Sequence, residues 1–371
     1  MHIAASKAVR LSRLCATIIP ALIALSGCAA IFQNSSEALI RDPGDIFYGP
    51  PKPVSEVASR YWEYATIASL AYPNDGLMDK SACAEAFVPG VKSATLVLPS
   101  GGDVQSLADA NYSAIVDALE NREGWRKWDG FPNPSLEATM EAIDLFASVW
   151  ERRTNDRTTV VVAFKGTNPR KRFDWLANFR WLWMWLPGYA DQYDMVVRDF
   201  EPAFIAEYKK READVPAGKK KIIYAAGHSL GGGLAHQFAY ALPLDDAVPR
   251  ISRVYAFDSS PVTGYYSVPK ETRETNAHGE PDEKHGMEIG RIFEKGEILS
   301  YLRGLIGLVY VPSDADPAIA GVRFNLFPSL NPIASHNMDE LACKLYEKAS
   351  GAGTPRHFDP EGERVQGNST F

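Results

Sequence analysis

Apolar residues recur along this chain with two periods, and the switch between them marks out the elements. Over residues 55–72 they fall at helical spacing (Val57, Tyr61, Tyr64, Ile67, Ala68, Ala71) behind Pro50, Pro51 and Pro53, which predicts a helix after a stop. Residues 106–120 predict a second helix. Residues 143–152 and 158–164 read as two strands around the polar turn Thr154, Asn155, Asp156 and Arg157, a hairpin leading into the core. Over 192–212 the residues Val196, Phe200, Phe204, Ile205 and Tyr208 share one side of a long amphipathic helix. A short apolar strand (221–226), a helix over 230–242, strands at 251–257 and 288–293, a strand or hairpin at 322–327 and a helix over 337–349 complete the pattern. Residues 263–284 are polar and charged and read as a surface excursion. There is no internal repeat. Strands alternating with helices predict an α/β fold, with a mostly parallel sheet covered on both faces.

The junction of strand 221–226 with the next helix carries Gly227-His228-Ser229-Leu230-Gly231. A Gly-x-Ser-x-Gly turn between a buried strand and a small-residue helix is the context of a nucleophile elbow. Such a bend crowds the backbone, so Gly227 and Gly231 leave room where a Cβ would clash. Gly232 and Gly233 allow the helix close to the sheet. The helix begins at the serine, so its free N–H groups and positive dipole end face the place where an oxyanion would form. The Leu230 N–H is the natural first donor.

The ends of the chain change the picture. Lys7, Arg10 and Arg13 precede a short apolar core over 14–25, too short to span a bilayer as a mature helix. It ends Leu25-Ser26-Gly27-Cys28, which resembles the lipobox of bacterial lipoproteins. That resemblance implies a signal peptide over 1–27 and lipidation of Cys28. Ala29, where no Asp stands, resembles an outer-membrane destination. Residues 28–53 read as a tether, 54–350 as one domain and 351–371 as a polar, mobile tail. Loss of the signal removes Lys7, Arg10 and Arg13 and no acidic residue, so the formal charge of −7 becomes more negative. Such a chain is a poor nucleic-acid binder. Of the 4 cysteines, Cys83 and Cys343 remain beyond Cys15 and Cys28. An oxidising envelope compartment permits a disulfide between them, and two unpaired buried thiols are the other reading.

From 143 to 345 several motifs occur in order. Thr159 to Phe164 is followed by Lys165-Gly166-Thr167, then Asp174-Trp175, then the elbow through Gly232, then Val254 to Phe257 with Asp258-Ser259-Ser260-Pro261. Together they resemble the class 3 lipase family of α/β hydrolases. The resemblance implies an α/β-hydrolase fold, with an N-terminal helical extension. Ser229 then matches the nucleophile, and Thr167 matches the second oxyanion-hole residue beside Leu230. Lys165 stands where the family usually has Arg, which alters a supporting charge.

A serine needs a base, and in α/β hydrolases the chain order is Ser, acid, His. Of the 7 histidines, His2 falls in the signal, and His228 sits inside the elbow and cannot turn back onto its neighbour. His236 is two turns down the helix, His278 and His285 lie in the polar excursion, and His357 lies in the tail. His336, at a loop-to-helix junction, remains, and similar turns close the family's triad. The stretch Arg291 to Leu299 resembles the family segment that ends in the catalytic acid, which lands on Glu297, with Glu294 and Asp258 as the other candidates. Glutamate replaces the usual Asp but can still hold the imidazole tautomer.

The activity so implied is a lipase- or esterase-type serine hydrolysis through an acyl-enzyme, with phospholipids among the candidate substrates. No His-Glu-x-x-His pattern and no Cys-x-x-Cys pair occurs, so neither metal nor organic cofactor is expected. Trp175, Phe179, Trp181, Trp183, Met184 and Trp185 crowd one segment that resembles the lid zone of lipases. It reads either as a lipid-contacting surface, with Trp181 and Trp185 at the membrane, or as a buried helix. The competing class is a non-catalytic outer-membrane lipoprotein that uses the fold for binding or assembly.

Overall fold

The computed structural model describes residues 33–73, 83, 104–166, 191–213, 218–243, 245, 247–278, 286–297, 299, 318–327, 334–351, 355 and 357–365. Among these, the strands form a sheet in the order β2-β1-β9-β8-β7-β6-β5-β4-β3. They are β1 (Glu37–Arg41), β2 (Lys52–Pro53), β3 (Arg126–Lys127), β4 (Ala147–Arg153), β5 (Arg157–Phe164), β6 (Lys220–His228), β7 (Ile251–Phe257), β8 (Glu288–Glu294) and β9 (Ala318–Phe324). Strands β5 to β9 run parallel, and the remaining pairs are antiparallel. The predicted hairpin is β4–β5, in register from Ala147 opposite Phe164 to Arg153 opposite Thr158.

Each parallel strand is laid beside its predecessor, always in the same direction. Right-handed crossovers therefore place the helices between them on one face. These are α5 (Asp191–Met195), continued by a π-turn into α6 (Glu201–Glu212), then α7 (Leu230–Ala241) and α8 (Lys270–His278). The other face is covered by α1 (Val54–Ser59), α2 (Trp62–Ser69), α3 (Val104–Asp117) and α9 (Met338–Ser350). A short α4 (Pro134–Glu141) precedes β4, and α10 (Pro360–Val365) closes the described chain.

Alternation along each strand feeds the two cores. Val160, Val162, Phe164, Ile223 and Ala225 join Phe200, Phe204 and Phe238 on the crossover face. Val161, Ala163, Ile222, Tyr224 and Ala226 join Trp62, Tyr64 and Leu341 on the other. Both faces of the central strands are buried, which explains their near-continuous apolar runs. On the second face Tyr64 stacks on Tyr255, with ring centroids 3.9 Å apart.

Several readings of the chain need correction. Residues 37–41 form not a tether but β1, which pairs antiparallel with β9 and buries Ala38, Leu39 and Ile40. Charge and proline content hid a strand whose buried stretch is only three residues long. The predicted helix over 55–72 is two helices, α1 and α2, with a break at Arg60 and Tyr61. The surface excursion contains α8, and its Asn276 donates through Nδ2 to the carbonyls of Tyr240 and Leu242, satisfying the end of α7. The tail is tied down too. Asp359 accepts two bonds of 2.6 Å from Arg157, and Glu361 accepts from Lys220 at 2.7 Å and Tyr224 at 2.9 Å. Among the described residues no helix is long and apolar enough to cross a membrane. Cys28, Thr167 and the segment with Trp181 and Trp185 lie outside the described residues.

Candidate active site

The site sits at the carboxyl ends of the parallel strands. Ser229 follows β6 directly, at φ 56° and ψ −123°, a conformation that strains a non-glycine residue by about 1–3 kcal/mol. The surroundings hold it there. Its N–H donates to the Phe257 carbonyl at 3.0 Å, and its own carbonyl accepts from Ser260 N at 2.9 Å and Gly232 N at 3.1 Å. The neighbouring glycines are required by close approach. A Cβ on Gly227 would stand 2.1 Å from the Gly231 carbonyl oxygen, and one on Gly231 would stand 2.2 Å from that of Phe164. The end of β5 and the first turn of α7 are therefore pressed together.

Lys165 is buried at the end of β5 and pairs through Nζ with Asp144 Oδ1 at 2.8 Å, over the Phe146 ring. Its backbone N–H donates to the Phe146 carbonyl. The Lys165 charge thus braces the end of β5 against the loop before β4.

His336 lies in the 3-10 turn Ala334–His336, just before α9, which is capped by Asn337. Its Nδ1 donates to Glu297 Oε2 at 2.9 Å, and the same oxygen accepts from Leu299 N at 2.8 Å. Glu297 is fully buried in the turn after β8. Glu294, three residues earlier, instead accepts from the Leu326 and Phe327 amides, at 2.8 to 3.1 Å. Burial pushes its carboxyl up to about 8; the two amides pull it back in part and the nearby Glu297 pushes it further. Asp258, at φ 41° after β7, accepts from Glu294 N through Oδ1. Of the three candidate acids, it is Glu297 that the histidine touches.

Tyr72 enters as a residue the sequence reading missed, and His228 as one it set aside as a base. Tyr72, just beyond α2, has its hydroxyl 2.7 Å from His228 Nδ1 and receives the Gly166 N–H at 3.1 Å. The His228 ring faces the His336 ring with centroids 4.7 Å apart. A Cβ on Gly166 would fall 2.8 Å from both Ser229 Cβ and the Tyr72 hydroxyl, so these groups form one cluster. The His228 ring is thus directed at the Tyr72 hydroxyl and lies beside the His336 ring. A lone tyrosine beyond a helix end carries no sequence signal of this contact.

His236 lies within α7, its Nδ1 2.6 Å from the Gly232 carbonyl, and burial pushes its imidazole down to about 3. His228, Asp258 and His336 bring potential metal-ligand atoms within 4.8 Å of one another. One atom of each is hydrogen-bonded within the protein: His228 Nδ1 to Tyr72, Asp258 Oδ1 to the Glu294 N–H and His336 Nδ1 to Glu297. Cys83 and Cys343 are bonded as a disulfide, with Cα atoms 5.2 Å apart, which fastens residue 83 to α9.

No family model and no curated protein matches this chain. Among solved structures, a lipase from Rhizopus microsporus var. chinensis is similar at 13% identity and a TM-score of 0.31, covering 82% of this chain and 88% of that one. The M37 lipase is similar at 13% identity and a TM-score of 0.24, covering 78% of this chain and 83% of that one.

Proposed function

We propose that this protein is a serine ester hydrolase whose nucleophile is Ser229, whose base is His336 and whose orienting acid is Glu297. The observation that carries the reading is the buried Glu297–His336 pair at 2.9 Å, at the same strand ends as a serine held at positive φ. Glu297 fixes the imidazole with its proton on Nδ1, leaving Nε2 to take the serine proton as the hydroxyl attacks an ester carbonyl. The developing oxyanion is met by the Leu230 N–H and by Thr167. Water then releases the acyl group with His336 as base again. The substrates are lipid-like carboxylic esters, reached from a membrane to which Cys28 anchors the chain in the bacterial envelope. Trp181 and Trp185 are the side chains this reading assigns to contact with lipid.

The test is covalent labelling with a fluorophosphonate probe, comparing wild type with Ser229→Ala and His336→Ala. Labelling that both substitutions abolish is expected. A folded wild type that stays unlabelled, with and without detergent, would overturn the hydrolase and favour a non-catalytic binding lipoprotein.

A further inference from the structure

We propose that Tyr72 is a positioning residue: its hydroxyl fixes His228 as the neutral, Nε2-protonated tautomer and, through Gly166, holds the end of β5 against the elbow. The consequence for catalysis rests on the hydrolase reading above; the hydrogen-bond assignment does not.

Tyr72 is buried at the rim of the core, and burial drives its hydroxyl far above the ordinary tyrosine range, so it stays protonated at any working pH. Among the described residues two polar atoms face its oxygen. Gly166 N–H can only donate. The hydroxyl proton therefore points at the other, His228 Nδ1, at 2.7 Å. An imidazole that accepts at Nδ1 carries its own proton on Nε2 and is uncharged.

The charge of His228 matters because of what faces it. Tyr72 approaches from beyond α2, Asp258 from the end of β7 and His336 from the turn before α9, with Glu294 and Glu297 behind the last two and Asp339 and Asp144 acting on Tyr72. His336 becomes cationic each time it takes the serine proton. A second imidazolium with its ring centroid 4.7 Å away would oppose that step, because two like charges in a site of low effective dielectric repel strongly. A neutral His228 does not.

The same hydroxyl has a mechanical role. It is the acceptor for the last described amide of the β5 end, one residue before Thr167. It joins that backbone to the residue preceding Ser229, across a gap too narrow for any side chain at position 166. Nucleophile and oxyanion strand are thereby tied through a single oxygen contributed by the N-terminal helical region. This gives residues 54–72 a task beyond covering the sheet.

The experiment is ¹⁵N NMR of the histidine imidazoles in the full folded chain, with ester kinetics on the same samples. For wild type near neutral pH, His228 is expected to show the nitrogen shifts of a neutral Nε2–H ring. In Tyr72→Phe, which keeps the ring and removes the oxygen, that signature is expected to change. At the same time kcat should fall about 10–100-fold with KM within about two-fold, the scale of losing a group that orients a catalytic one. The kinetic loss should shrink in a His228→Asn background, since the two residues act as a unit. A cationic or Nδ1–H His228 in wild type overturns the assignment without any variant. An unchanged kcat in folded Tyr72→Phe overturns the positioning role. A wild type that shows the expected tautomer but has no esterase activity and takes no fluorophosphonate label sinks the hydrolase reading alone.

Discussion

His336 Nδ1 and Glu297 Oε2 stand 2.9 Å apart, and the Leu299 amide donates to the same carboxylate oxygen. A buried carboxylate that accepts from a backbone N–H as well as an imidazole cannot swing away, so it dictates which nitrogen of His336 carries the proton. Glu297→Gln keeps the volume but offers an NH2 group, which can force the opposite tautomer. kcat for a soluble ester should fall about 10³–10⁴-fold, the scale known for an acid-to-amide change in a serine triad. Glu294→Gln is the contrast. Burial raises that carboxyl to about 8, so it is mostly neutral at pH 7 and accepts only backbone amides. Its replacement should leave kcat within about three-fold. Equal losses in the two variants would remove Glu297 from its role.

Gly231 offers a steric test of the elbow. Its missing Cβ would meet Phe164 O at 2.2 Å and Lys165 C at 2.6 Å, both backbone atoms of the β5 end. Neither can move without displacing the strand. Gly231→Ala should therefore destabilise the fold by about 1–3 kcal/mol and slow acylation, read as a lowered Tm and slower fluorophosphonate labelling. Wild-type values for both would show that the contact relaxes at no cost.

How far the sequence led depended on how local each signal was. The elbow was legible because strand, turn and helix are contiguous, and the Gly227–Gly231 crowding follows from that bend. The β4–β5 hairpin and β7 were legible because both faces of those strands are buried over their central residues, which leaves short apolar runs such as Val160 to Phe164 and Val254 to Phe257. β1 was missed because its partner, β9, lies nearly three hundred residues away, and its pairing leaves no periodic trace in five residues. The tail was misread because its anchors are ion pairs with Arg157 and Lys220, and polarity looks the same in a docked segment as in a free one. Glu297 came from a resemblance in spacing, whereas its separation from Glu294 depends on which carboxylate the turn after β8 aims at His336. Tyr72 was out of reach, since its partners come from the residues just after β5 and from the end of β6.

The disulfide joins residues separated by 260 positions and lands on α9, the helix whose entry turn carries His336. Cross-linking so distant a pair restricts the unfolded chain, and loss of a native disulfide typically costs about 2–5 kcal/mol. A Cys83→Ser/Cys343→Ser double variant should lose that much by denaturant unfolding under oxidising conditions, and wild type should match it after reduction. Activity well below the transition should persist, because the Glu297–His336 bond and the Asn337 cap are independent of the bridge. An unchanged unfolding midpoint would mean that the bridge does not form in the purified protein.

His357 gives the alkaline limit of stability a residue-level cause. Hydrogen bonds to Glu123 and Glu63 raise its imidazole to about 9, against an unfolded value near 6.5. Between those two values the folded protein keeps a proton that the unfolded chain has released. The resulting stabilisation is complete below about pH 6.5 and disappears as pH rises through about 9. His236 acts at the other limit. Its folded value near 3 means that the unfolded chain binds the extra proton, so its contribution is present above about 6.5 and lost as pH falls toward 3. Glu294 and Glu201 shape the wild-type and variant curves alike, since a raised carboxyl also makes stability fall with rising pH, from about 4.5 to 8. Comparison with His357→Gln cancels that contribution. Wild type should exceed the variant in Tm at pH 6, and the two curves should converge by about pH 10. The gap will be modest, because the His357 side chain is 47% exposed and its ion pairs are screened. Parallel curves from pH 6 to pH 10 would show that the Glu63–Glu123–His357 contact contributes nothing to holding the C-terminal segment on the fold.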